Sequence, residues 1–359
     1  MLDYKASFYS QSHTEDTLLT GIESLLNSNP DLQVKLFPTY VEPAWWQKIT
    51  QGDSPQFKPL SGNESVSLFE FVFQMREDEH KKTVRGKFFV VKNHEYPNIY
   101  TVVTLESSLF FGRGLLLYFE RRYPRTSLTF ITHKKLWNLL VNFRDTNGFE
   151  EFNIVRASTK TRVGKKTVSS LTWSEFSLEQ AFDWVRDANG WFKNLLFKAK
   201  RQGQLPANIS ISRKGVVRAT KYARLVYDGF IRPVSKTLNE NVTLFSKRAR
   251  LDNSERDIRP LSIEFSDDLF VDVEENQKLI DSLRTMRASA LSVLHGNPYV
   301  HLSVFDYFDG SSFDIWVLTT NQIIIVPQLK ASFQSIKRLI NHIFDNYAEG
   351  AIQDYQVES

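Results

Sequence analysis

Three side chains near the C-terminal end of the sequence have the types and the spacing to do chemistry at a metal ion. Asp314 stands near the start of one predicted strand, residues 312–320, and Gln328 and Lys330 come at the end of the next. Adjacent antiparallel strands bring such groups to one end of a sheet, and side chains at positions i and i+2 share a face. Because carboxylate oxygens are preferred ligands of Mg²⁺, the stretch is either a metal site or only a hairpin that closes a small sheet.

The order of helix, three strands and helix around these residues resembles the core of the PD-(D/E)xK nuclease superfamily. A Gln-x-Lys pair in place of acid-x-Lys is similar to the Mrr-type branch. The resemblance implies that Asp314 binds a divalent metal ion, that Gln328 holds it through its carbonyl and that Lys330 serves the attacking water. It further implies Glu274 or Glu275 as an additional acid.

The same stretch also departs from that superfamily. Pro327 stands where a strand needs a ladder donor, the further strand expected after the second helix is not evident, and the surrounding block is acidic. A plain three-strand meander followed by a helix explains the pattern better, and residues 67–122 show that order too. We therefore keep a metal-dependent nuclease with a Mg²⁺ cofactor as an alternative hypothesis only.

The distribution of charge is the strongest signal in the whole sequence. Residues 156–250 contain 20 basic and 6 acidic residues, a net charge of +14. The preceding 155 residues carry a net charge of −1, and the residues from 251 onward carry −9. Such a block favours a polyanion-binding surface, although a basic domain that docks on an acidic partner would have the same composition.

The basic residues of this block form clusters that could contact phosphates without reading bases. The candidate nucleic-acid-binding residues are Arg156, Lys160, Arg162, Lys165, Lys166, Lys198, Lys200, Arg201, Arg213, Lys214, Arg218, Lys221 and Arg224. Trp173 and Tyr222 lie among them and could stack on bases, whereas the helical spacing of Trp184 and Trp191 favours core packing.

The pattern of apolar residues predicts a mixed α+β fold built from antiparallel three-strand meanders, each followed by a helix. The periodicity predicts long helices over residues 177–203 and 273–294. The run Phe111-Gly112-Arg113-Gly114 lacks the full spacing of a phosphate-binding loop, so its glycines indicate close packing of a helix.

Two or three domains are expected from the length and charge pattern. We predict an N-terminal α+β domain (1–155), a basic middle region (156–250) and an acidic C-terminal α+β domain (251–359). The absence of cysteine excludes disulfides and thiolate chemistry, and it suits a cytoplasmic protein. The start of the chain shows no secretory signal, and no apolar run is long enough to span a bilayer.

These features predict a non-catalytic subunit that binds DNA or RNA, with no cofactor and no membrane partner. A place in a bacterial defence or DNA-processing complex is a hypothesis about context. A protein partner or a homo-oligomer is expected as well, and a protein-interaction scaffold stays open as a further alternative.

Overall fold

The computed structural model describes residues 2–54, 56–77, 80–122, 125–161, 171–187, 190–249 and 258–355. The chain forms two compact units that divide after Asn239, here called unit 1 and unit 2. Both units combine helices with antiparallel sheets, so the predicted α+β class is confirmed. Within the described ranges, no helix is both long enough and apolar enough to cross a membrane.

Unit 1 begins with two helices and continues with strands that alternate with short helices. Its elements are α1 (Leu2–Ser10), α2 (Glu15–Ser28), β1 (Val34–Val41), α3 (Pro43–Thr50), β2 (Phe57–Gly62), β3 (Val66–Glu77), β4 (His80–Lys92), β5 (Ile99–Thr104), a π-helical segment (Phe110–Leu116), α4 (Leu117–Arg121), β6 (Thr126–Leu128), α5 (His133–Asn147), β7 (Glu151–Thr161), β8 (Leu171–Ser177), α6 (Leu178–Asp187), β9 (Gly190–Lys200), β10 (Ala207–Ser212), β11 (Val217–Ala219), α7 (Ala223–Val226), a second π-helical segment (Tyr227–Ile231) and α8 (Arg232–Ser246), within which the division falls.

One eleven-stranded sheet organises unit 1. Its order is β2-β3-β4-β5-β1-β11-β10-β9-β7-β8, and β6 adds to β1. The central strand β1 pairs with β11 as far as Leu36 and with β6 from Thr39 onward. Pro38 lies between these two partners, where the missing N–H of proline is tolerated. Strands from residues 1–155 and from residues 156–239 therefore belong to a single sheet.

The two faces of this sheet are covered differently. A large hydrophobic core lies on one face and includes side chains from β1, β3, β4, β5, β7, β9, β10 and β11 together with α2, α5 and α6. A second core, rich in phenylalanine, lies on the other face, where the ring of Phe37 contacts that of Phe111 in the π-helical segment. This second core draws on β1 to β6, and no described residue of β7, β9 or β10 belongs to it. The outward side chains of those three strands lie outside both cores.

Unit 2 consists of one sheet and the helices that follow its strands. After the end of α8 its elements are β12 (Leu261–Glu264), α9 (Val273–Arg284), β13 (Ser289–His295), β14 (Val300–Asp306), β15 (Ser311–Thr319), β16 (Gln322–Pro327), α10 (Phe333–Asn346) and β17 (Ala351–Asp354). The strand order is β13-β14-β15-β16-β12-β17. Alternate residues of β14, such as Val300, Leu302 and Val304, are buried, so the meander of β14, β15 and β16 before α10 has the predicted form.

The prediction of one helix over 177–203 is wrong in its second half. Helix α6 ends at Asp187, and the chain resumes as strand β9 at Gly190. Leu195 and Phe197 are fully buried at alternate positions, which is the period of a strand. The apolar residues of this short run fit either period, and only pairing with β7 and β10 decides between them.

The predicted helix over 273–294 is also only half correct. Helix α9 ends at Arg284, and β13 begins at Ser289. Between them Ala288 has a φ of 53°, a left-handed conformation that breaks a helix and that alanine rarely adopts.

Candidate nucleic-acid interface

Strand pleating places basic residues on the part of the second face that the phenylalanine core does not cover. On β9, Leu195, Phe197 and Ala199 enter the large core, so Lys198 and Lys200 point outward. The same alternation turns Arg156 of β7 and Arg218 of β11 outward, because their neighbours Ala157 and Val217 are core residues. We call the surface formed by Arg156, Lys198, Lys200 and Arg218 the cationic face.

Cross-strand register places these cations in rows. Arg156 pairs with Leu196, Leu196 with Ser210, and Ser210 with Arg218, so one row runs across four strands. Strands are spaced by about 4.8 Å, which puts Arg156 and Arg218 about 14 Å apart. Lys198 occupies the next row, about 7 Å further along β9. The cations are thus spread over the face and do not crowd one point.

The neighbours of the cationic face are mostly neutral and polar. Asn153 and Asn208 flank Lys198 in register, and Ser158 and Ser212 flank Asn194. Among the described outward positions of β7, β9, β10 and β11, Glu151 is the one acid. Its carboxylate lies 3.2 Å from the Lys200 ammonium. The face therefore keeps a net positive charge and offers amide and hydroxyl groups as additional hydrogen-bond donors.

Two cations of the cationic face have no partner among the residues that the structure describes. Arg156 is exposed and Lys198 is half-buried, and neither forms an ion pair or a side-chain hydrogen bond with the described residues. Arg218 is half-buried, and its guanidinium stacks 5.3 Å from the Phe111 ring at the edge of the phenylalanine core. Burial lowers the pKa of Arg218 from its usual value. Arg156 and Lys198 are therefore the side chains most available to an anion.

The Arg218 row continues into a buried lysine of β1 that the sequence did not single out. Lys35 pairs with Arg218, is only 3% exposed, and donates from Nζ to the carbonyl oxygen of Glu106 at 2.7 Å. Burial first, and then the positive charges of Arg218 and Lys5, lower the pKa of Lys35 to about 8. The ammonium of Lys35 is held by backbone carbonyl oxygens, so it contributes positive electrostatic potential to the face and is not placed to contact an anion directly.

A polar cavity of about 400 Å³ lies where β9 and β11 end. Its cations are Arg201, which directly follows β9, and Lys221 and Arg224, which follow β11. Asn27 of α2 also lines the cavity. We call it the end cavity. It joins three residues of the predicted basic set to a helix near the start of the chain.

The remaining predicted residues have other surroundings. Arg213 is 3% exposed; it donates from Nε to the carbonyl oxygen of Ile131 and stacks on Phe130. Lys214 forms an ion pair with Glu120 at 2.9 Å. Lys160 lies 6.0 Å from the ring of Trp191. Trp191 is buried as predicted, although it lies on strand β9 and not on a helix, whereas Trp184 of α6 is 36% exposed, so its predicted core packing is wrong. The predicted residues Arg162, Lys165 and Lys166 lie outside the described residues, as does the side chain of Trp173.

The residues of the nuclease hypothesis meet only in part. Gln328 donates from Nε2 to Asp314 Oδ2 at 3.0 Å, and His301 Nε2 lies 3.5 Å from the same oxygen. Lys330 is exposed beyond the end of β16. Glu275 is bonded instead to Lys278 in its own helix.

In the part of the chain that the structure describes, no group of three or more His, Asp or Glu side chains is placed to hold a metal ion. Divalent cations need several oxygen ligands, and Asp314 offers one carboxylate that already accepts a hydrogen bond. These residues do not fit a Mg²⁺ site, and the nuclease remains a hypothesis from the sequence.

A second polar group in unit 2 supports the fold. Asp306 is fully buried; it accepts from Ser335 Oγ at 3.1 Å and faces Arg338 Nε at 3.3 Å. Asp309 accepts from the hydroxyls of Ser332 and Ser335 at the start of α10. Burial raises the pKa of Asp306 above its usual value. The group ties the turn after β14 to the first turn of α10.

A scan of the sequence against models of protein families gives no match. A search of curated proteins gives no match either. The geometry of the cationic face is therefore the basis for a functional proposal.

Proposed function

We propose that unit 1 binds nucleic acid through its sugar-phosphate backbone on the cationic face. The observation that carries this proposal is the pair Arg156 and Lys198, two outward cations with no protein partner in the described chain. They lie on a sheet surface that neither hydrophobic core covers. Cations in such a position gain most from an anionic ligand, because no acid among the described residues competes for them.

The spacing of the cations suits contact with several phosphates at once. One strand of B-form DNA rises by about 3.4 Å along the helix axis per phosphate, so the row of about 14 Å from Arg156 to Arg218 matches the axial rise of about four phosphates. Because the cations are fixed on paired strands, binding requires little ordering of the backbone. Asparagine and serine neighbours can donate further hydrogen bonds to phosphate oxygens.

The chemistry of the face favours binding to the backbone over recognition of bases. Its described outward side chains are cations, amides, hydroxyls, the half-buried Leu196 and the carboxylate of Glu151, which is paired with Lys200, and the nearby Trp191 is buried. Stacking on bases requires exposed aromatic rings, which these described positions do not supply. We therefore expect sequence-independent binding that weakens steeply with salt.

Lysine footprinting by mass spectrometry tests the location of binding. The full chain is treated with an amine-reactive reagent in the presence and absence of a single-stranded oligonucleotide. Lys198 and Lys200 should be protected by the oligonucleotide, whereas Lys134, exposed on α5 on the opposite side of the sheet, should react as before. Equal reactivity of all three lysines in both states would refute the proposal.

A further inference from the structure

The end cavity has a composition that points to an anionic ligand. Three cations, Arg201, Lys221 and Arg224, line it together with a single acid, Glu23 of α2. The amides of Asn27 and Gln204 complete its polar wall. Its volume of about 400 Å³ lies in the range of small-molecule sites, which is about 300 to 1,000 Å³.

The three cations differ in how far the protein neutralises them. Arg224 is held by α2, since its Nη2 lies 2.6 Å from Asp16 Oδ1 and 3.1 Å from Thr20 Oγ1. Arg201 and Lys221 are half-buried, and neither side chain has an ion pair or hydrogen bond with the described residues. Partial burial of a charge without a partner costs free energy, which a bound anion would recover.

The backbone beside Lys221 is held in a strained conformation. Tyr222 has φ 62° and ψ 40°, a left-handed conformation that is unfavourable for a residue with a large side chain. Its ring is only 4% exposed and lies 5.8 Å from the ring of Phe149, so packing maintains the conformation. The packing of Tyr222 thus fixes the turn that places Lys221 and Arg224 in the lining of the cavity.

The end cavity lies at the end of β9, where α2 from the covered side of the sheet contributes to its wall. Lys200 is the last residue of β9, and Arg201 of the cavity follows it directly. A nucleic-acid strand that leaves the face along β9 therefore has to pass around the end of the sheet to enter the cavity. A terminal phosphomonoester carries a charge of about −1.5 to −2, whereas each internal phosphate carries one. Two unpartnered cations match the terminal group better than an internal one.

We propose that the end cavity binds the terminal phosphate of the nucleic-acid strand that lies on the cationic face. This inference rests on the proposed function. Arg201 and Lys221 pair with the phosphate oxygens, and Asn27 donates a hydrogen bond to them. A free mononucleotide would present the same phosphomonoester, so the experiment must separate the two sources.

Three oligonucleotides of one sequence, with a 5′-phosphate, a 3′-phosphate or hydroxyls at both ends, are titrated with the full-length protein by fluorescence anisotropy. One phosphorylated end should bind about tenfold more tightly than the oligonucleotide with hydroxyl ends, as expected for one added charge-assisted hydrogen bond. Lys221→Gln and Arg201→Gln should each reduce that ratio to about one. Lys198→Ala should weaken all three oligonucleotides and leave the ratio unchanged. Thermal melting of each variant verifies that it is folded.

Each failure has a distinct meaning. Equal binding of all three oligonucleotides overturns the terminal-phosphate site and leaves the cationic face intact. A ratio that persists in Lys221→Gln and Arg201→Gln overturns the assignment to this cavity. Competition by a 5′-mononucleotide without any preference among the oligonucleotides identifies a free ligand and also overturns the proposal. No binding of any oligonucleotide overturns both this inference and the proposed function.

Discussion

Removal of the two unpartnered cations should flatten the salt dependence of nucleic-acid binding. Each phosphate contact on duplex DNA contributes about 0.9 to the slope of log K against log salt. Four contacts from the cationic face then give a slope of about −3.6, or about two decades of affinity between about 50 and about 200 mM salt. The double variant Arg156→Ala/Lys198→Ala retains two contacts, so its slope should fall to about −1.8, or about one decade.

The assay is fluorescence anisotropy with one labelled duplex over a salt series. A matched control is Lys134→Ala/Arg186→Ala, which removes the same charges from α5 and α6, whose apolar sides pack on the covered face of the sheet. The control should keep the slope of the unmodified protein. Equal slopes for the double variant and the control would refute the reasoning, because binding would then follow net charge and not the cationic face.

Three further predictions concern stability and use denaturant midpoints. Gly114→Ala should destabilise by about 1–3 kcal/mol, because a Cβ there overlaps the Phe73 ring, whereas Gly112→Ala meets no atom and should stabilise by about 0.5–1 kcal/mol. Stabilisation by Gly114→Ala or destabilisation by Gly112→Ala would contradict the packing of the π-helical segment. Burial lowers the pKa of Lys35 to about 8, so between about pH 8 and about pH 10.5 the unfolded chain binds more protons than the folded protein. The free energy of unfolding therefore rises with pH across that window. Lys35→Met should abolish this rise in stability with pH. An unchanged pH profile in the variant would contradict the assignment of the rise to Lys35. Ala288→Gly removes the strain of an alanine at positive φ and should stabilise the protein by up to about 1 kcal/mol. A loss of stability would show that Ala288 is not strained.

Sequence patterns predicted the meanders well but missed the central strand of unit 1. Strands β3, β4 and β5 consist of residues with strong strand propensity, and polar turns separate them. This pattern is local in the sequence and predicts the strands directly. Strand β1 lacks that signal, since nearly all its positions are buried and it contains both Lys35 and Pro38. Its role depends on pairing with β5 and β11, which are distant in sequence.

The basic block indicated an anion-binding surface, but the sequence could not show which cations share it. Bulges in β7, one of them between Ile154 and Arg156, shift the alternation of inward and outward side chains. Arg213 had the same local appearance as Arg218, yet it is buried against Phe130. Only the register of four strands distinguishes the two arginines. The contribution of α2 to the end cavity likewise has no local signal.

The most direct test of the central claim is the binding of the unmodified full chain to labelled duplex DNA, single-stranded DNA and RNA over a salt series without metal. Binding through about four phosphates predicts a log–log slope of about −3.6 for the duplex and about −2.8 for single strands. Little dependence on base sequence is also expected. Absence of binding to all three at low salt, or binding that salt does not weaken, would contradict the account.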